Sequence, residues 1–263
     1  MRQTSLFAAA VLSIVALTAC SPEEEKETPA PQAAAPSSIP SQLPPPSSAP
    51  QVAPEKVSCD YRKDDSGAPA KFVGMPPAKL PAGALAAKTM TMVTNHGSVV
   101  IELDPKATPC TVNSFHFLAK KNYFDDTVCH RLTTVKSNAL DLLQCGDPQA
   151  KGDGKNKTDG TGGPGYLFPD ENLGPAYNRG VVFMAQNGDA ANSNGSQFVI
   201  SYSNEAAQLP ADYTPFGVVV KGLDVVDKIA AGGVNTTEAD IISEDGGSNA
   251  PKLKVLIEDV VVK

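Results

Sequence analysis

The sequence predicts a mainly β fold: an antiparallel barrel accompanied by two isolated helices. Three observations lead there. Short apolar runs alternating at period two recur from Lys88 to the C-terminus, a Gly-bearing turn joins the first two of them, and only two stretches carry helical spacing. Many short strands favour closure, because a closed sheet has no exposed edge.

Ahead of that pattern, Met1–Ala19 has one early charge (Arg2), an apolar stretch from Leu6 to Leu17, and then LTAC ending at Cys20. This is a secretory signal pattern, too short for a membrane-spanning helix. Leu17-Thr18-Ala19-Cys20 resembles the bacterial lipobox, in which the cysteine thiol is lipidated and becomes the mature N-terminus. Residues 20–56 hold the acidic run Glu23-Glu24-Glu25 and PAPQAAAPSSIPSQLPPPSSAP. So few large apolar residues cannot offset the entropy of ordering, and a Pro-rich spacer is expected. The expected location is outside the cell, on the outer face of the cell membrane or envelope, through lipid on Cys20. Residues 57–87 read as an extended segment tied to the barrel, and 88–263 as the domain proper.

Within the domain, KTMTMVTNHGSVVIELD predicts a hairpin about Asn95-His96-Gly97. PCTVNSFHFLAKKNYF places Val112, Phe115, Leu118 and Ala119 on one helical face, with Thr111 as N-cap. Strands follow at Val128–Leu132 and Leu140–Gln144. A long Gly-rich stretch, GDGKNKTDGTGGPGYLFPDE, then exceeds the usual length of a structureless connection, which marks it as a functional or rim-forming loop. Gly180–Ala185 and Ser196–Ser201 read as strands joined by QNGDAANSNG, and Phe216–Val220 as another. Leu223–Ile229 is a short amphipathic helix stopped at Gly232-Gly233. Leu253–Val262 closes the chain as a strand.

A net charge of -7 without clustered Lys and Arg argues against nucleic acid. Setting Cys20 aside leaves four of the five cysteines, with neither CxxC spacing nor a histidine pair for zinc, so no metal or cofactor is expected. In an exported protein they form two disulfides, with three connectivities open. We favour Cys129 with Cys145, on neighbouring strands, and Cys59 with Cys110, tying down the leading segment. No GxSxG elbow, phosphate loop or well-placed carboxylate pair supports a hydrolase, nucleotide-binding or glycosidase reading. What stands out is CHRLTTVKSNALDLLQCGDP, with Arg131 and Gln144 but no nucleophile or base.

CHRL, LLQCGDP, GTGGPGY, DE, GVVFMA, NSNGSQFVIS and YTPFGVVV occur in the order and approximate spacing of the cyclophilins, the peptidyl-prolyl isomerases. From Lys88 to Lys263 the chain resembles that family, in a form similar to the exported actinobacterial cyclophilins. The resemblance implies a closed eight-stranded antiparallel barrel capped by two helices, and isomerisation of X-Pro bonds in exported polypeptides. It implies Arg131 as the catalytic residue and Gln144 as its support. Leu142, Val199 and Leu209 correspond to the apolar cup for the proline ring, Ala185 and Gln186 to contacts with the substrate backbone, and Tyr213 to the rim, where many members have histidine. The departures lie in the cup. The Arg131–Gln144 spacing is longer than usual, so Asp141 falls where an aromatic residue is common unless Leu140 takes that role. Val199 replaces the second Phe of SQFF, Gln186 a usual Asn, and Gln208 a usual Trp, while Phe198 should face the core. Smaller cup residues imply weaker proline binding. Cyclosporin-type ligands are implied by the family, with the altered cup counting against affinity. A monomer is expected.

Overall fold

The computed structural model describes residues 57–135, 139–235 and 250–263. The readings of 1–19 as a signal, of Cys20 as a lipidation site and of the linker to residue 56 lie outside the described residues.

The first described segment runs along the domain and contributes β1 (Arg62–Lys63) and the five-residue helix α1 (Ala82–Ala86). The expected hairpin follows as β2 (Thr89–Thr94) and β3 (Gly97–Leu103), paired from Thr89↔Glu102 to Thr94↔Gly97. Period-two alternation sends Met90, Met92, Val99, Ile101 and Leu103 inward. Helix α2 (Pro109–Ala119) then crosses the barrel with Val112, Phe115 and Leu118 buried. Phe115 stacks on Phe216 at 4.8 Å and Phe124 at 5.6 Å, with Phe198 edge-on at 5.7 Å.

The N-terminus of α2 corrects one expectation. The N-cap is Thr108, with no capping side-chain bond, and Pro109 opens the helix. Thr111 lies inside the first turn, where its Oγ1 donates to Glu171. Glu171, sixty residues further on, accepts from the Cys110 and Thr111 amides at 3.0 and 2.8 Å. A carboxylate suits this end of the helix dipole and takes up two of its free donors. Burial raises the Glu171 pKa, and the three hydrogen bonds oppose that rise.

Past α2 come β4 (Thr127–Cys129), β5 (Arg131–Thr133), β6 (Leu142–Cys145), β7 (Tyr166–Leu167), β8 (Val181–Gln186), β9 (Asn194–Ser201), β10 (Pro215–Lys221), α3 (Leu223–Ala231) and β11 (Val255–Val262). Among the described residues nine strands form one antiparallel sheet in the order β4-β11-β2-β3-β10-β8-β9-β6-β5. Its two outermost strands, β4 and β5, are consecutive in the chain with only His130 between them. One bent run therefore pairs with β11 through its first half and with β6 through its second, and the sheet is nearly closed into a barrel. The expected strand count of eight differs from nine by this break at His130. The Cys129–Cys145 disulfide spans the same corner. Among the described residues three α-helices stand where two were expected, because α1 precedes the domain.

The strand expected from Leu140 begins at Leu142 instead. Leu140 and Asp141 belong to the approach loop, where the Asp141 carboxylate accepts from the Val135 amide at 2.7 Å. Side-chain to backbone bonding of this kind competes with strand pairing.

Residues 57–79 are bound to the domain by the Cys59–Cys110 disulfide, by β1 pairing with β7, and by Tyr61. The Tyr61 ring meets Tyr166 and Phe168 edge-on at 5.6 Å, and its hydroxyl donates to the Cys110 carbonyl at 2.7 Å. Among the described residues no helix is long and apolar enough to cross a membrane.

Candidate active site

Strand alternation gives the barrel wall two faces. On β5, β6, β9 and β8, Leu132, Leu143, Cys145, Phe198, Ile200, Val182 and Met184 point into the core, Phe198 among them as expected. The opposite face carries a line of cross-strand neighbours: Arg131 opposite Gln144, Gln144 opposite Val199, and Val199 opposite Phe183. This row grades from a cation through an amide to an apolar floor within four adjacent strands.

At its polar end the side chains form a relay. Arg131 Nη1 donates to Gln144 Oε1 at 3.0 Å. Gln144 Nε2 donates to Gln197 Oε1 at 2.8 Å, and Gln197 Nε2 donates to the carbonyls of Gly160 and Gly162 at 2.7 and 2.9 Å. Because the last two acceptors are backbone oxygens, every amide in the chain has a defined orientation, and Gln144 must present its oxygen to Arg131. Gln197 was not among the sequence candidates, yet it sits two residues before Val199 and therefore on the same face as the site.

The Gly-rich loop carrying Gly160 and Gly162 is held from within. Buried Asp147 accepts from the amides of Gly160 and Gly162 at 2.8 and 3.1 Å. A Cβ at position 162 would lie 2.1 Å from Asp147 Oδ1, so only glycine allows this approach. Asp159 accepts from the Lys151 and Gly152 amides at 2.9 and 2.8 Å. A stretch without regular structure thus becomes a fixed wall, as a rim-forming loop requires.

At the apolar end, Leu142, Val199, Phe183, Tyr177 and Ala206 are buried together, with Ala185, Leu209, Tyr213 and Leu140 half-buried against them. The cup residues expected from the sequence are therefore assembled in one cluster. Leu140 packs against it, while the Asp141 carboxylate is engaged with the Val135 amide. Phe183 and Tyr177 are additions. Val199 does lack the ring expected at its position, but Phe183, directly across the strand pair, supplies one, in contact with Tyr177 at 4.5 Å and Tyr213 at 5.7 Å between ring centres. Phe183 is legible in GVVFMA once Met184 is assigned inward. Tyr177 lies in a loop with no periodicity to point to it. The Gln186 side chain donates to Asp170 Oδ1 and the Asp212 carbonyl at 3.2 and 2.9 Å, so it is tied back to the protein.

These observations place the chain among known proteins. The family described as Cyclophilin type peptidyl-prolyl cis-trans isomerase/CLD matches residues 89–262. The chain belongs to the cyclophilin family. Its curated relatives include the "Probable peptidyl-prolyl cis-trans isomerase B" of Mycobacterium leprae, 40% identical over 219 residues, covering 78% of this chain and 66% of the relative. The protein of the same name from Mycobacterium tuberculosis is 40% identical over 205 residues, covering 71% and 62%. The chain thus spans just under two thirds of the length of these relatives. A crystal structure of a Cryptosporidium parvum cyclophilin aligns with a TM-score of 0.53 at 26% identity, over 67% of this chain and 98% of that one.

His130, between the disulfide and Arg131, is 5% exposed, and neither ring nitrogen has a hydrogen-bond partner among the described residues. Burial pushes its pKa down to about 4, against the opposing pull of Asp147 and Asp159 and with a further push from Arg131. The unfolded chain takes up this proton near the ordinary value of about 6.5. Stability is therefore full above roughly pH 6.5, falls as pH drops through the window, and levels off below about pH 4. The expected loss across the window is about 3 kcal/mol. Urea unfolding at pH 7 and pH 4.5 checks it, with His130→Phe removing most of the difference because the ring makes no hydrogen bond to lose. An equal pH slope in that variant would exclude His130 as the source.

Proposed function

We propose that this cyclophilin isomerises X-Pro peptide bonds in exported proteins and assists their folding outside the cytoplasm, held at the outer membrane face by lipid on Cys20. The observation that carries the activity is the Arg131–Gln144–Gln197 relay set beside the apolar cluster of Leu142, Phe183 and Val199.

An amide before proline resists rotation because its nitrogen shares a lone pair with the carbonyl, a barrier of about 18–20 kcal/mol. At the top of the barrier the nitrogen regains that lone pair, and no bond has to break. A guanidinium is permanently charged and rich in donors, so Arg131 can donate to the freed lone pair. Such a bond exists only in the twisted state, which is the condition for lowering a barrier. Gln144, held by Gln197, keeps the guanidinium aimed before the substrate arrives, and the cup holds the ring while the preceding carbonyl swings. A Cryptosporidium parvum cyclophilin was crystallised in the presence of the dipeptide Ala-Pro, which supports proline as the ligand class.

The measurement that tests the activity is cis-trans exchange in a short X-Pro peptide, followed by NMR with the full chain. Acceleration above the solvent rate is expected. Gln197→Met should lower kcat/KM by about tenfold, the worth of one or two hydrogen bonds that orient the relay; a rate equal to wild type would show that Gln144 is held by other means. Cys20→Ala should move the protein from the membrane fraction to the soluble fraction.

A second reading is a peptide-binding module with little turnover. The altered cup favours it, since Val199 stands where the family has a second Phe and Gln208 where it has a Trp. It predicts peptide binding with no acceleration of exchange.

A further inference from the structure

A second groove opens beside the cup, past Ala185 and Gln186. It is lined by the Gly160–Pro164 loop, by Asn187 and Ser193, and by Gln197 of the relay. Its end wall comes from outside the family domain, because Asp64 belongs to the leading strap and the family match starts at residue 89.

The strap is built into this groove. The Asp64 amide donates to the Gly165 carbonyl at 3.1 Å, Lys71 N to the Gly163 carbonyl at 3.0 Å, and Gly163 N to the Pro69 carbonyl at 3.0 Å. Arg62 donates to the carbonyl of Asn192, the neighbour in sequence of the lining residue Ser193. Asp64 Oδ1 accepts from the Ser66 amide at 3.0 Å, which orients the carboxylate. Lys63, on the other face of the strand, pairs with Asp65 at 2.9 Å. Among the described residues that line the groove, Asp64 alone is ionisable.

We infer that the strap forms one wall of the peptide site, and that Asp64 makes this protein prefer substrates with a basic side chain on the flank that runs past Ala185 and Gln186. The inference rests on the reading of the same site as a peptide site, whether or not it turns substrate over. A half-buried carboxylate facing a peptide flank attracts Lys or Arg and repels Asp or Glu. Among the described lining residues no other charge offsets it, and the neighbouring Arg62 guanidinium is engaged with the Asn192 carbonyl.

The test uses pairs of Ala-based X-Pro peptides that differ only in carrying Lys or Glu, placed in turn two and three residues before and after the proline. Exchange rate and binding affinity are both measured with the full chain. On one side of the proline the Lys peptide should be favoured by about two- to fivefold over its Glu partner, the range of a partly exposed ion pair. Asp64→Asn should bring that ratio towards one, Asp64→Lys should invert it, and added salt should weaken it. A ratio unchanged in Asp64→Asn, or a preference for Glu in the wild type, overturns the inference. If peptides bind with the predicted ratio but none is isomerised, the inference stands and the isomerase reading falls. If all are isomerised with no ratio, the inference alone falls.

Discussion

Replacing Arg131 by alanine is expected to lower kcat/KM for prolyl isomerisation by about 10²–10³-fold, the usual cost of removing one donor aimed at charge that develops in a transition state. The loss should fall mainly on kcat, because the nitrogen lone pair that Arg131 would meet is absent from the planar ground state. Arg131 sits half-exposed on the outer face of the barrel and donates to Gln144. The fold should therefore lose only about 1 kcal/mol, for one unmet hydrogen bond. Far-ultraviolet circular dichroism and thermal unfolding separate the two effects. Arg131→Lys keeps the charge but not the planar fork, and should recover only part of the rate. A variant without Arg131 that isomerised as fast as wild type would remove it from the mechanism and leave the cup as a binding site.

The second large effect concerns the strap. Cys59 and Cys110 are 51 residues apart, so their bond should contribute about 4 kcal/mol by restricting the unfolded chain, against about 3 kcal/mol for a loop the size of the other bridge. The Cys59→Ala/Cys110→Ala variant should therefore unfold at a temperature lower by roughly 8–16 °C. The bond also joins the strap to the first turn of α2, which Glu171 caps through the Cys110 and Thr111 amides. Loss of the strap anchor should thus loosen that helix end as well. Calorimetry of this variant beside Cys129→Ala/Cys145→Ala gives the comparison. A smaller shift for the strap pair than for the corner pair would show that the unfolded chain is already compact between residues 59 and 110.

Much of the architecture was legible because it rests on periodicity. Met90 and Met92 face inward for the reason that Thr89 and Thr91 do not, and the same alternation places Val199 outward behind an inward Phe198. The resemblance carried Arg131 and Gln144, and the barrel register sets them opposite each other. Where reading along the chain fell short, a distant residue had taken over a local task. Glu171 caps α2 from sixty positions away, so no local motif at Thr111 could reveal it. Phe183 provides the ring missing at Val199, which becomes visible only when β8 and β9 are aligned.

The sequence by itself determined the alternating strands, the core face of each, the family and the residue types of the polar pair, because these depend on side-chain period and on motifs that sit close together in the chain. Only the tertiary structure decided what surrounds them. The closure of the sheet at His130, the Gln197 link to the glycine loop, the Phe183 floor and the strap with Asp64 at the groove are contacts between segments far apart in sequence. Such contacts follow from which surfaces can pack together, and no local period records that.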